Sequence, residues 1–161
     1  MFGAWLERRR YRTRVLNALM PMLDGLGLTS AKALLRHYPG IENAVLDHHG
    51  RGDDHRVAAM AIVGTVLTDQ IERHYDADQR AAILAQLTDN ATPKASKDRL
   101  AQAILSAEEV AHLWVENSGA DRGLRDLMMS EIIGALQGYG AEERSRRRLH
   151  RALSAAVHAT G

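Results

Sequence analysis

VAAMAIVGTVL, residues 57–67, decides how the rest of the chain is read. These residues carry no charge, and only Gly64 and Thr65 interrupt the apolar run. A surface helix shows a polar stripe every few positions, whereas a helix that is apolar all round is buried on every side. The run is too short to span a bilayer, which takes about 20 apolar residues. It continues through TDQIERH to Tyr75, and Asp53 or Asp54 stands where a helix cap is wanted. The expectation is a buried central helix over residues 54–75, inside an all-α domain.

Working outward, the preceding segments read as helices separated by breaks. Tyr11, Val15, Leu19 and Leu23 recur every fourth position in a first helix that starts near Phe2. Pro21 kinks or restarts it. Asp24-Gly25-Leu26-Gly27 breaks the chain sharply, and Thr29 or Ser30 caps a second helix carrying Ala31, Leu34, Leu35 and Tyr38 inward. Pro39-Gly40 ends that one. A short helix is expected over Ile41 to Leu46, and DHHGRGDDH, residues 47–55, reads as the most polar loop of the chain.

After the central helix, Asp76 or Asp78 opens a helix with Ile83, Leu84 and Leu87, and residues 88–97 form a connector. Leu100, Ile104, Ala107 and Ala111, with Trp114 or Val115, mark the next helix, stopped by Asn117-Ser118-Gly119. Asp121 caps another with Leu124, Met128, Ile132, Leu136 and Tyr139, broken by Gly138 and Gly140. A last helix sets Leu149, Leu153, Ala156 and Val157 on one face and Arg144, Arg148 and Arg151 on another. Nothing alternates like a strand. Residues 1–161 are therefore expected to form one domain, a bundle of about seven or eight helices.

Composition bounds the chemistry. The chain has no cysteine, which excludes disulfides and thiolate metal sites. The start MFGAWLERRRYR does not read as a secretory signal, and nothing approaches a transmembrane segment, so a cytoplasmic setting is expected by elimination. The net charge is only +1, but it is unevenly spread. Residues 1–36 hold seven Lys/Arg against two acids, residues 37–137 hold nine against sixteen, and residues 138–161 hold five against two. Basic ends around an acidic middle suit self-association or an oriented partner better than uniform nucleic-acid binding.

The stretch LDGLGLTSAKALLRHYPGIENAV, from Leu23, carries a resemblance. Leu23, then Gly25-Leu26-Gly27, then Ala31 and the pair Leu34-Leu35 resemble the helix–hairpin–helix motif of DNA-repair and replication proteins. The resemblance implies sequence-independent binding to the DNA backbone. Its site would be Gly25, Leu26, Gly27 and the amides near Thr29, with Lys32 beside a phosphate. It covers about 23 residues of 161. The chain departs from the family pattern at Leu28 and Thr29, where a basic residue often stands, and no second hairpin is found. Gly-x-Gly between helices is also an ordinary C-terminal cap, giving a structural αα-corner.

Two other groups of residues hold candidate ligands. Asp47, His48, His49, Asp53, Asp54 and His55 offer nitrogen and oxygen ligands for zinc or a harder ion, yet capping and solvation account for them. Glu109 and His112 have the i, i+3 spacing of di-iron bundles, without the second pair that such sites need. There is no P-loop, no Gly-x-Ser-x-Gly and no nucleophile–base pair. No catalytic residue, metal ligand or cofactor is therefore assigned.

The functional expectation rests on the first helix. Phe2, Trp5 and Leu6 lie outside the buried stripe and precede Arg8, Arg9, Arg10, Arg12 and Arg14. A membrane surface is one reader of such a pattern. A partner protein is the favoured one, because Trp and Arg are enriched at binding hot spots. The expected function is a non-enzymatic interaction module, an adaptor, regulatory or assembly subunit. Its site would be Phe2, Trp5, Leu6, Arg8, Arg9 and Arg12, with an unidentified protein or a second copy as partner. DNA-backbone binding through the hairpin is the alternative.

Overall fold

Among the described residues, seven α-helices and one 3-10 helix, with no strand, pack around the apolar segment 57–67. The structure is a computed structural model that describes residues 2–26, 30–88, 98–118, 122–140, 142–144 and 146. The helices are α1 (Phe2–Leu19), α2 (Ala31–His37), α3 (Gly40–Gly50), α4 (His55–His74), α5 (Ala77–Thr88), α6 (Arg99–Ser118) and α7 (Arg122–Leu136), with the 3-10 segment Met20–Leu26 after α1. Gly27, Thr29, most of the 88–97 connector, Gly119, Asp121, and Arg148, Arg151, Leu149, Leu153, Ala156 and Val157 lie outside the described residues.

Each break has a local cause. Pro21 has no N–H to continue the α-helical ladder, and the chain tightens into the 3-10 segment one residue after Leu19. Ser30, in extended conformation, accepts the Ala33 amide on its Oγ at 3.2 Å and starts α2. Asp54 accepts from Arg56 N at 2.9 Å and starts α4. Asp76 and Gln79 exchange backbone and side-chain hydrogen bonds at 2.9 and 2.8 Å, a reciprocal cap ahead of α5. Asp98 accepts from Leu100 N at 2.9 Å and starts α6. Gly138, at φ +90°, closes the turn after α7 in a region that L side chains rarely adopt.

The α4 helix is central as expected, packing on α1, α3, α6 and α7. The 3-10 segment buries Met22 and Leu23, and its main partner is α6. The stripe of α1 goes inward at Val15 and Leu19, with Tyr11 half-buried. Ile104, Ala107 and Ala111 of α6 and Met128 and Ile132 of α7 complete the core.

Two expectations need correction. Residues 47–50 are not loop: α3 runs on through Asp47, His48 and His49 to Gly50, and only residues 51–54 form the turn. Histidines in the last turn of a helix interact well with its dipole, so polarity there did not signal a break. Nor is α4 buried on every side. Ala58 to Met60, Ile62 to Gly64 and Val66 to Thr68 are buried, but Ala61 and Thr65 are exposed. They lie four positions apart, on a stripe one side chain wide.

Candidate functional site

The first seven residues of α1 are exposed apart from the half-buried Leu6 and extend beyond the buried stripe. Phe2 is 77 % exposed and Trp5 46 %. Their ring centroids lie 6.0 Å apart, and the Arg9 guanidinium sits over the Trp5 ring at 5.3 Å. Leu46 of α3 is 52 % exposed. Trp5 and Leu46 face a cleft of about 290 Å³ whose other walls include Arg8, Arg9, Val45 and His49. The cleft is therefore apolar inside and basic at its edge.

Arg12 is placed differently from the other arginines. Its Nε donates to both oxygens of Glu42 at 3.1 and 2.9 Å, and its Nη2 donates to Oε1 at 2.6 Å. That hydrogen-bonded pair holds the Glu42 carboxyl below, and the guanidinium above, their ordinary pKa ranges. Arg12 thus ties α1 to α3 and shapes the cleft, while Arg8 and Arg9 supply its charge. Tyr11 strengthens the same junction. Its hydroxyl donates to Asp53 O at 2.8 Å, its ring meets His49 edge-on at 5.0 Å, and burial followed by Asp53 raises its pKa.

Leu46, Val45 and Glu42 were missed by the sequence reading as parts of this face. A helix drawn only to Leu46 gave no reason to set α3 beside α1. The i, i+4 recurrence of Ile41 and Val45, both buried, was the available signal.

The hairpin residues are less concentrated. Gly25 and Leu26 belong to the 3-10 segment, and Lys32 and Arg36 are exposed on α2. Ser30 already accepts one amide of the first turn of α2, a helix of only seven residues. Arg12, a cation whose position beside the turn would favour DNA, is turned to Glu42 instead. Met22 and Leu23 anchor the turn region in the core.

Four of the 47–55 candidates, His48, Asp53, Asp54 and His55, have charged or polar partners within residues 48–56, and His49 packs on Tyr11. His48 Nδ1 stands 2.7 Å from Asp53 Oδ2 and 3.3 Å from Arg51 Nη2. Arg51 Nε lies 3.5 Å from the same oxygen, and Asp54 caps α4. No group of three or more His, Asp or Glu placed to hold a metal occurs among the described residues. His112 pairs with Glu116 at 3.0 Å, and Glu109 is exposed.

A second concave region accompanies the exposed stripe of α4. Ala61 and Thr65 divide two channels, one toward α3 and one toward α7, of about 450 and 460 Å³. At the far end of the first, Tyr38 donates to Asp69 Oδ2 at 2.8 Å and accepts from Gln70 Nε2 at 2.6 Å. Burial, the largest cause, raises the Tyr38 pKa. Arg73 Nε donates to the other oxygen of Asp69 at 2.9 Å, so Tyr38, Asp69 and Arg73 are hydrogen-bonded among themselves at this end.

No helix among the described residues is long and apolar enough to cross a membrane. The chain matches no family model, no curated protein and no solved structure.

Proposed function

We propose that this protein is a non-enzymatic interaction module, an adaptor, regulatory or assembly subunit, that engages a protein through the N-terminal face of α1. The observation that carries the reading is the grouping of exposed Trp5 and Leu46 beside Arg8 and Arg9 around one cleft, with the exposed Phe2 ring 6.0 Å from that of Trp5. Large apolar side chains gathered around a concavity mark interaction sites, whereas the same residues scattered singly do not. An aromatic anchor within a charged rim is a common interface arrangement. Such a face calls for a partner with an acidic segment and an apolar side chain to enter the cleft.

A membrane fits this face less well. Successive residues of a helix turn by about 100°. Arg8, Arg9 and Arg10 therefore point in three directions, and no wide apolar side remains to lie in an interface.

The test is deletion of residues 1–10, alongside the double variant Trp5→Ala, Arg9→Glu in the full chain. Both proteins should keep their helicity by circular dichroism, because the buried residues of α1 are Val15, Leu16 and Leu19. Both should lose association, read by pull-down from the native source and by sedimentation. Unfolding of the truncated chain would make these residues core. Undiminished association by both variants would place the interface elsewhere.

A further inference from the structure

A partner for the α1–α3 cleft must bring an apolar side chain with acids around it, and the chain carries such a ridge itself. Among the described residues, Phe2, Trp5, Leu46, Leu113 and Leu127 are the large apolar side chains left exposed. The first three belong to the cleft face. Leu127 has Gly123 and Glu131 one turn to either side, and Glu131 is held by Arg144. Leu113 of α6, 45 % exposed, stands instead between Glu109, four positions before it, and Glu116, three after. Residues so spaced share one side of a helix. Both acids are exposed, Glu116 meets the His112 ring at 3.0 Å, and no arginine or lysine pairs with either among the described residues.

Length and charge match the cleft. Its α1 wall runs from Trp5 to Arg12 and its α3 wall from Glu42 to His49. Each wall spans about two helical turns, or about 10 Å along the axis, and Glu109 to Glu116 is the same length. Arg12 neutralises Glu42, so Arg8 and Arg9 set the sign of the rim, and the two acids of α6 bring the opposite sign. A helix laid in a groove by its apolar side chain is a common recognition mode, and complementary charges at the rim fix its register.

Ridge and cleft do not meet within one chain. Val110 and Trp114 of α6 line a groove with Arg14 and Ala18, on the other half of α1, and Leu113 is not among the walls of the cleft.

We infer that the partner of the cleft is a second copy of this chain, whose α6 enters by Leu113 with Glu109 and Glu116 against Arg8 and Arg9. The inference rests on the reading of the cleft as a protein-binding face. Ridge and cleft are different surfaces, so the contact is head-to-tail.

Sedimentation of the purified full-length protein over a range of concentrations tests it. The parent protein should associate. Leu113→Ala and Trp5→Ala should each weaken association roughly tenfold or more, the scale of a lost hot-spot side chain. Reversing the arginines (Arg8→Glu, Arg9→Glu) or the acids (Glu109→Arg, Glu116→Arg) should weaken it too, and all four changes together should restore it. These side chains are exposed, so each variant should keep the native circular dichroism spectrum. A chain blocked at the cleft (Trp5→Ala, Arg9→Glu) and one blocked at the ridge (Leu113→Glu) should each be monomeric alone and form one-to-one pairs when mixed. A parent protein that stays monomeric overturns the inference, as does association indifferent to Leu113 and both acids, or to Trp5 and Arg9. The cleft reading fails separately, when the pull-down from the native source is itself indifferent to Trp5 and Arg9.

Discussion

Arg144 Nη1 lies 2.6 Å from Glu72 Oε1, joining the segment after α7 to the last turn of α4 across 72 positions of sequence. The Arg144 side chain is 7 % exposed and also meets Glu131 at 3.1 Å. A buried guanidinium with three acceptors is stable only while those acceptors stay in place.

Arg144→Met should therefore destabilise the fold. Loss of one partner from a buried pair costs about 3–5 kcal/mol. Glu72 is about half exposed and water takes over part of its role, so the lower end of that range applies. A melting temperature lower by roughly 6–12 °C is expected for a chain of this size. A shift below about 2 °C would mean that this ion-pair cluster contributes little.

Charge on α4 should act according to face rather than hydropathy. Val63→Asp places a carboxylate where the structure leaves no exposure, at a cost of several kcal/mol, comparable with the whole stability of a domain. Ala61→Asp, two residues away, should keep the native circular dichroism spectrum, its effect confined to whatever covers the channels. Thermal melts of the two proteins check this. Equal collapse of both would restore the helix buried on every side.

Asp98 has two roles at one position. It accepts from Leu100 N at 2.9 Å as the cap of α6, and from the Tyr75 hydroxyl at 2.9 Å, linking the end of α4 to the start of α6. Burial and then the Asp98 hydrogen bond push the Tyr75 pKa up, so the phenol remains the donor at any pH where the fold is studied. Asp98→Ala should cost about 2 kcal/mol, a cap plus a partly buried hydrogen bond. Asp98→Asn keeps an accepting oxygen for the cap and should recover most of it. Denaturant titration of both variants distinguishes these outcomes, and equal losses would refute the capping role.

The Arg12–Glu42 pair predicts a small acid-dependent effect. The hydrogen bonds from Arg12 lower the folded-state pKa of Glu42, so folding favours the carboxylate. Its stabilisation is complete above the ordinary carboxylate range and is lost as pH falls through the lowered folded value. Both side chains are more than a third exposed, so the whole effect is about 1 kcal/mol or less. Glu42→Gln should be slightly less stable than the parent protein at neutral pH, and the two should converge in acid. Urea titrations at both pH values test the convergence.

The helical class was legible because its signals are local. Val15, Leu19 and Leu23 repeat at helical spacing, and Ser30, Asp54 and Asp76 stand where amides need acceptors. These cues act within one or two turns of chain, so a single sequence displays them. The extent of α3 was not legible, since Asp47, His48 and His49 are as much at home in a last helical turn as in a loop.

By itself the sequence determined that the chain is helical, that residues 57–67 lie at its centre and that an aromatic and basic helix stands at its start. Tertiary structure decided which side of each helix meets solvent. Ala61 and Val63 look alike in sequence, but the spacing of α3 and α7 around α4 leaves one bare and encloses the other. In the same way Leu46 joins Trp5, and Arg12 leaves the basic face for Glu42, only because α3 crosses α1 there. The physical reason is that periodicity reports an angle around one helix axis, whereas exposure and pairing depend on where the neighbouring axes lie.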